Sequence, residues 1–397
     1  MHSRRYIQIL EKYVSQDQIQ KYIGCLIGGA VGDALGYPVE FFSLDEIKAK
    51  YGEQGIQHYD LNNGVAEVSD DTQMTLFTAS GYLLGAVRWI YAEYGLGAHH
   101  SYCRKSYEDW LLTQTRKSMP KGDTRVSSWL MAIPELYHRR APGQTCLAFN
   151  NECNIDHPNN DSKGCGGVMR VAPVGLIYPV FFETEDTKGS HVIYEAAQCA
   201  ALTHGHELGY IPAGCFAQII NLASHTDMKL DDIIERSLED TAIHFSHCQE
   251  FPYFLDMMQK AIDLSMSADS DEICIAKIGE GWVAEEALAI AVYCALRHQD
   301  DFVAGIRAAV NHDGDSDSTG SITGNILGAY LGLKSIPEAF LKELELRDVI
   351  IEIALDLATE KNASKIYEEL NLEDNFLHKY QIRALDDFIH LRQKNNQ

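Results

Sequence analysis

Basic side chains are scarce in this chain. Lys and Arg number 33 against 57 Asp and Glu, which gives a formal charge of −24. No dense Lys/Arg stripe stands out, so broad binding to nucleic acid or to an anionic membrane is excluded as an expectation. Paired cysteines are also missing. The ten cysteines are scattered singly (25, 103, 146, 153, 165, 199, 215, 248, 274, 294), with no C-x-x-C pair and no zinc spacing, which suits a reduced cytosolic compartment. No apolar run reaches the length of a membrane span. The opening "MHSRRYIQILEKYVSQDQIQ" is polar and amphipathic and has no continuous apolar signal core. The expectation is a cytoplasmic monomer with neither nucleic acid nor membrane as a partner. Clean period-two alternation is scarce as well, which argues against a β-rich fold.

What is present is helical. With 397 residues, 46% hydrophobic and 23% charged, there is ample material for a core. The runs 72–93, 192–203, 283–298 and 302–310 carry apolar residues at three- and four-residue spacing, and an all-α fold follows. The Asn- and Gly-rich stretch 149–167, "FNNECNIDHPNNDSKGCGG", reads as a long loop, and long loops inside compact domains tend to be functional. Glycines recur four apart at 24, 28, 32 and 36, and again at 320, 324, 328 and 332. On a helix this spacing forms a stripe without side chains, where another backbone can approach closely. Because helical glycine costs about 1 kcal/mol relative to alanine, four per helix need a packing reason. Both helices are expected at the centre of a tightly packed bundle.

Two acidic clusters stand far apart in the chain. In "NHDGDSDSTG" (311–320) Asp313, Asp315 and Asp317 alternate with small residues. A calcium loop of the EF-hand type fails by counting, since Ser318 and Gly324 occupy the positions that need glycine and glutamate. In "VSDDTQM" Ser69, Asp70 and Asp71 open an apolar helix. Either cluster alone could be helix capping. Each also offers one hydroxyl and two carboxylates (Ser69, Asp70, Asp71; Asp315, Asp317, Ser318), an all-oxygen donor set that suits Mg²⁺, Mn²⁺ or Ca²⁺ and disfavours zinc. Brought together, the two clusters could hold two ions.

The blocks "GCLIGGAVGDALGYPVEF" (24–41), "SDDTQM" (69–74), "RRAPGQTCL" (139–147), "GCGGVMRVAPVGL" (164–176), "LTHGHELGY" (202–210), "EGWVAEEALAIAVYCALR" (280–297) and "GDSDSTGSITGNILGAYLG" (314–332) resemble, in order, those of the ADP-ribosylglycohydrolases. That family includes dinitrogenase-reductase-activating glycohydrolase and ADP-ribosylarginine hydrolase. The resemblance implies a single compact multi-helix domain at 21–335; outside it lie an N-terminal helix expected at 1–20 and a C-terminal extension at 336–397, which reads as helical and charged and is expected to pack on the domain or continue it. It further implies two Mg²⁺ or Mn²⁺ ions on Ser69, Asp70, Asp71, Asp315, Asp317 and Ser318, with Asp71 and Glu40 as candidates to accept a proton from water. Ser162, Gly164, Gly166, Gly167, Met169, Arg170 and His204 would surround ADP-ribose, the glycines letting backbone N–H groups approach phosphate oxygens. Arg170 could equally be a buried structural residue. His206, His312, Glu285 and Glu286 are read as structural or supporting. The implied activity is hydrolysis of the N-glycosidic bond of ADP-ribosylated protein, with mono-ADP-ribosyl-arginine first because D-S-D-S-T-G resembles the arginine-specific hydrolases more than D-T-D-T does. A serine-linked conjugate, O-acetyl-ADP-ribose or a non-catalytic ADP-ribose-binding role are the alternatives.

Overall fold

The two glycine stripes face each other. In the computed structural model, which describes residues 4–91, 100–119, 126–149, 153–178, 190–360, 362–370 and 379–380, the helices Gln16–Gly36 and Ser316–Leu331 run antiparallel in backbone contact. A Cβ on Gly24 would sit 2.4 Å from the Gly328 carbonyl oxygen, one on Gly28 2.2 Å from that of Gly324, and one on Gly32 1.9 Å from that of Gly320. Each step of four along one helix is matched by a step of four back along the other, so the stripes interlock over several turns. The last glycine differs in role. Gly332, at φ 78, sits in the left-handed region and ends its helix.

This register sets the site. An antiparallel pair brings the C-terminal end of one helix to the N-terminal end of the other, so Glu40, just past the first helix, lies beside Asp315 and Asp317. Around the pair stand the Asp70–Tyr91, Glu207–His225, Ala284–Arg297 and Phe302–Val310 helices. The sequence runs 72–93, 192–203, 283–298 and 302–310 fall on helices Asp70–Tyr91, Ser190–Ala201, Ala284–Arg297 and Phe302–Val310, residues 92–93 of the first run lying outside the described residues. Among the described residues there is no strand, only isolated bridges. The fold is all-α. The stretch 149–167 is irregular where described, ending in a short 3-10 turn at Cys165–Gly167; its residues 150–152 lie outside the described residues.

Towards the C-terminus, the Arg347–Glu360 helix packs on both the Gln16–Gly36 and Asp70–Tyr91 helices. Just before it, Glu345 receives the buried Arg140 guanidinium, which also donates to the Val68 carbonyl at 3.0 Å. That clip fixes the turn entering the Asp70–Tyr91 helix. Helix Arg4–Tyr13 meets Ala363–Leu370, where Lys12 and Tyr13 both reach Glu369. No helix among the described residues is long and apolar enough to cross a membrane.

Candidate functional site

Helix Asp70–Tyr91 opens on two carboxylates, and neither of them caps it. Asp33, from the neighbouring helix, does so: its carboxylate accepts the Ser69 N–H at 3.0 and 3.1 Å, the Thr72 N–H at 3.1 Å and the Thr72 hydroxyl. The Ser69 hydroxyl oxygen accepts the Asp71 N–H at 3.2 Å. Asp70 and Asp71 are thereby free to point elsewhere. Asp70 Oδ2 accepts one bond, from the Gly143 N–H at 3.3 Å, and Asp71 Oδ1 accepts the Ser318 hydroxyl at 3.4 Å. Asp71 Oδ2 is buried with no partner.

The second cluster meets the first. Asp315 caps its own helix by accepting the Ser318 N–H, a donor shared with Asp317 Oδ1 at 2.8 Å, while Asp315 Oδ2 accepts the Cys165 thiol. Oxygens of Glu40, Asp315 and Asp317 lie within 4.8 Å of one another, all buried, and Glu40 Oε2 has no hydrogen-bond partner. Asp313 stands apart. It is exposed and accepts the Leu44 N–H at 2.7 Å, which ties its loop to the Leu44–Tyr51 helix. Of the three alternating aspartates, then, two converge on the cluster and one is a tether.

Burial is the main force on these acids. It pushes Glu40 up to about 9 and Asp70 up to about 8, and it raises Asp71 and Asp317 well above the carboxylate range, with neighbouring carboxylates adding to each. Asp33, pushed up by burial but opposed by the hydrogen bonds it accepts from Ser69 and Thr72, rises only to about 6. Crowded, desolvated carboxylates with two orphaned buried oxygens, joined by two serine hydroxyls, are an arrangement that a hard divalent cation fits.

The glycine loop borders this cluster. The Cys165 N–H donates to the Trp282 carbonyl at 3.1 Å and the Ala284 N–H to the Lys163 carbonyl at 2.9 Å, so residues 162–167 are strapped to 282–284. Ser162 Oγ lies 3.1 Å from the Thr145 hydroxyl. Beneath the loop is His204, buried, its Nδ1 2.7 Å from the Thr203 hydroxyl; burial, with Arg170 nearby, pushes it down to about 3, which leaves the imidazole neutral. A Cβ on Gly166 would come within 3.0 Å of His204, and one on Gly167 within 2.7 Å of the Gly209 carbonyl oxygen, so these two glycines are required by the packing below the loop. Gly164 has only looser contacts, at 3.4 Å or more. Met169 borders the cluster, with Sδ 3.9 Å from the Ser318 hydroxyl.

Arg170 does not join them. Fully buried, it donates to the Cys199 carbonyl at 3.1 Å and the Thr203 hydroxyl at 2.7 Å, and it stacks over the Tyr107 ring, so it supports the end of the Ser190–Ala201 helix rather than facing a ligand. His312 is likewise committed to Thr319 and to the Asp313 carbonyl. Glu285 pairs with Lys163, and Glu286 holds the 280–281 turn by accepting two N–H groups.

The family model described as ADP-ribosylglycohydrolase matches residues 14–366. The chain belongs to the ADP-ribosylglycohydrolase family. It is therefore a glycohydrolase by family, acting on ADP-ribosyl groups. Its relatives are distant. ADP-ribosyl-[dinitrogen reductase] glycohydrolase of Rhodospirillum rubrum is 24% identical over 82% of this chain and 90% of that protein. ADP-ribosylhydrolase ARH3 of Bos taurus is 25% identical over 46% of this chain; the alignment spans about half of that relative, 54%. A solved ADP-ribosylglycohydrolase-related protein complex shares the fold at a TM-score of 0.55 and 22% identity, covering 87% of this chain and 99% of that one.

Sequence reasoning missed Asp33 as the group that frees Asp70 and Asp71. The signal was there: an acid at the C-terminal end of a glycine-striped helix is unfavourable to the dipole and needs donors from elsewhere. It also passed over Cys165, the thiol bonded to Asp315.

Proposed function

We propose that this glycohydrolase cleaves the N-glycosidic bond between ADP-ribose and a protein side chain, arginine foremost, with two divalent cations, Mg²⁺ or Mn²⁺, held by Ser69, Asp70, Asp71, Asp315, Asp317 and Ser318. The observation that carries this reading is the convergence of two helix N-termini on one buried acidic cluster, in which Asp71 Oδ2 and Glu40 Oε2 lack partners. When bound, the cations supply positive charge that orients hydroxyl groups and polarises the sugar.

The chain's own residues would do the rest. Asp71 and Glu40 are the carboxylates placed to accept a proton from water as its oxygen bonds the anomeric carbon and the C–N bond breaks, the departing nitrogen taking up a proton. Glycosyl cleavage passes through an oxocarbenium-like state. Ser162, Gly164 and Met169 line the approach above the cluster, Gly166, Gly167 and His204 fix the loop's shape, and Arg170 supports it from below.

Arginine as the linked residue draws on the D-S-D-S-T-G form, and a modified protein as the substrate is supported by the Rhodospirillum relative, a glycohydrolase of ADP-ribosyl-[dinitrogen reductase]. The ARH3 relative keeps a second reading open, another ADP-ribosyl conjugate. A panel of arginine- and serine-linked mono-ADP-ribosylated proteins with O-acetyl-ADP-ribose, assayed in Mg²⁺, Mn²⁺ and EDTA, separates the two. Release of ADP-ribose from the arginine conjugate, lost in EDTA, is expected. Turnover confined to another conjugate would replace the first reading, and undiminished turnover in EDTA would remove the metals.

A further inference from the structure

Beside the acidic cluster, the protein presents two large aromatic rings to solvent. Phe41 follows Glu40 directly and is 70% exposed, while Trp282, on the strap paired with the glycine loop, is 38% exposed. The rings are stacked, with centroids 5.8 Å apart and planes 18° from parallel. Glu280 Oε2 accepts the Trp282 indole N–H at 3.2 Å, which places a carboxylate at the ring's edge.

Behind Trp282 opens a cavity of about 570 Å³, with Leu44, Ile275 and Val283 forming part of its wall. Four carboxylates, Glu272, Glu280, Glu286 and Asp313, and one lysine, Lys163, also line it. Lys163 is occupied by Glu285, and Glu272 by Lys48 at 2.7 Å. Glu280 and Asp313 have no Lys or Arg partner among the described residues, their bonds being to N–H groups, while Glu286 accepts two backbone N–H groups and also feels the Lys163 charge. The cavity also adjoins the reaction site, because the Glu280 carbonyl accepts the Asp315 N–H at 2.8 Å and Gly281 packs on Asp315 and Thr319. A single turn of backbone separates it from the cluster.

We infer that this surface docks the polypeptide segment flanking the modified side chain and selects a segment carrying a further Lys or Arg. Charge complementarity commits it to that occupant: an apolar-walled recess in which two carboxylates, Glu280 and Asp313, lack a cation beside an aromatic ring suits a cationic side chain, which gains from both the carboxylates and the ring face. The inference rests on the reading that the substrate is an ADP-ribosylated protein. Glu280 acts here through its side chain alone. Its carbonyl, which holds Asp315, is untouched by a side-chain change, so Glu280→Lys reverses the charge without removing that bond.

Two measurements on the full chain test it. A fluorescent, unmodified peptide with Lys and Arg around a central arginine is titrated by anisotropy against the same peptide with Glu at those positions. The basic peptide is expected to bind at least tenfold tighter, to weaken as salt rises, and to lose about five- to tenfold in Glu280→Lys. In turnover, KM for the ADP-ribosylated basic peptide should rise by the same factor in Glu280→Lys relative to KM for ADP-ribosyl-arginine alone. Equal binding of the two peptides, or a variant that binds the basic peptide as wild type does, overturns the inference. The peptide titration needs no chemistry. If neither conjugate is hydrolysed, the proposed substrate fails, while the anisotropy result still decides the docking surface.

Discussion

Replacing Gly28 by alanine sets two physical effects against each other. Helix propensity alone favours the change by about 1 kcal/mol, because alanine loses less backbone entropy in a helix interior. Packing opposes it. A Cβ at 28 would lie 2.2 Å from the Gly324 carbonyl oxygen and 3.0 Å from its carbon, and the intruding atoms belong to backbone that cannot rotate away. Ordinary carbon–oxygen contact needs about 1 Å more, so the two central helices must part over the turns around the contact. Overpacking of this kind costs about 1–3 kcal/mol and here exceeds the propensity gain. Gly28→Ala is therefore expected to lower unfolding free energy by about 2 kcal/mol in urea, with an unchanged m-value. Gly143→Ala serves as the control: its Cβ would meet only the Cys146 sulfur, at 3.7 Å, and its N–H to Asp70 is retained, so its effect should stay within about 0.5 kcal/mol. A Gly28→Ala protein more stable than wild type would refute the backbone contact.

Three further outcomes follow from the site. Asp70→Asn and Asp317→Asn should each abolish turnover at limiting metal while the circular dichroism spectrum and the metal-free melt stay close to wild type; full activity in both would contradict a shared metal site. Asp33→Asn should cost about 1–3 kcal/mol and also reduce activity, since it weakens an acceptor of three donors and loosens the Asp70 helix start; unchanged stability would show that the cap carries no weight. In EDTA the protein should lose stability as pH rises. Glu40 and Asp70, at about 9 and 8 folded against 4.5 and 3.8 ordinarily, hold protons in the folded state that the unfolded chain releases, so stability is greatest below the ordinary values and declines from about pH 4 toward pH 9. Combined Glu40→Gln and Asp70→Asn should flatten that slope, and a metal-free melting point that climbs with pH across this window would reverse the sign of the argument.

The fold was legible wherever one periodicity dominated. Apolar residues at helical spacing marked the Asp70, Ala284 and Phe302 helices to within about two residues, and the four-residue glycine period announced close backbone contact. What the spacing does not carry is which partner each stripe meets; the antiparallel register appears only once Gly24, Gly28 and Gly32 are seen against Gly328, Gly324 and Gly320. The two acidic clusters were visible as residue types. Their separation from capping was not, because that depends on Asp33 reaching a second helix. Arg170 shows the opposite limit. Beside a glycine loop an arginine suggests an anion, yet its side chain turns inward onto Tyr107 and the Cys199 carbonyl, a direction that sequence neighbours do not specify.

The central claim is that the acidic cluster exists to bind divalent cations, and a thermal melt tests it most directly. Wild type and the double variant Asp315→Asn with Asp317→Asn are melted in Mg²⁺ and in EDTA at fixed ionic strength. Cation binding to the folded state alone stabilises it by mass action, so Mg²⁺ should raise the wild-type melting point and leave the double variant unmoved. The variant should melt in EDTA at or above the wild-type temperature, since two mutually repelling buried groups are gone. Equal Mg²⁺ shifts in the two proteins would contradict the account and reduce residues 313–318 to the start of a helix.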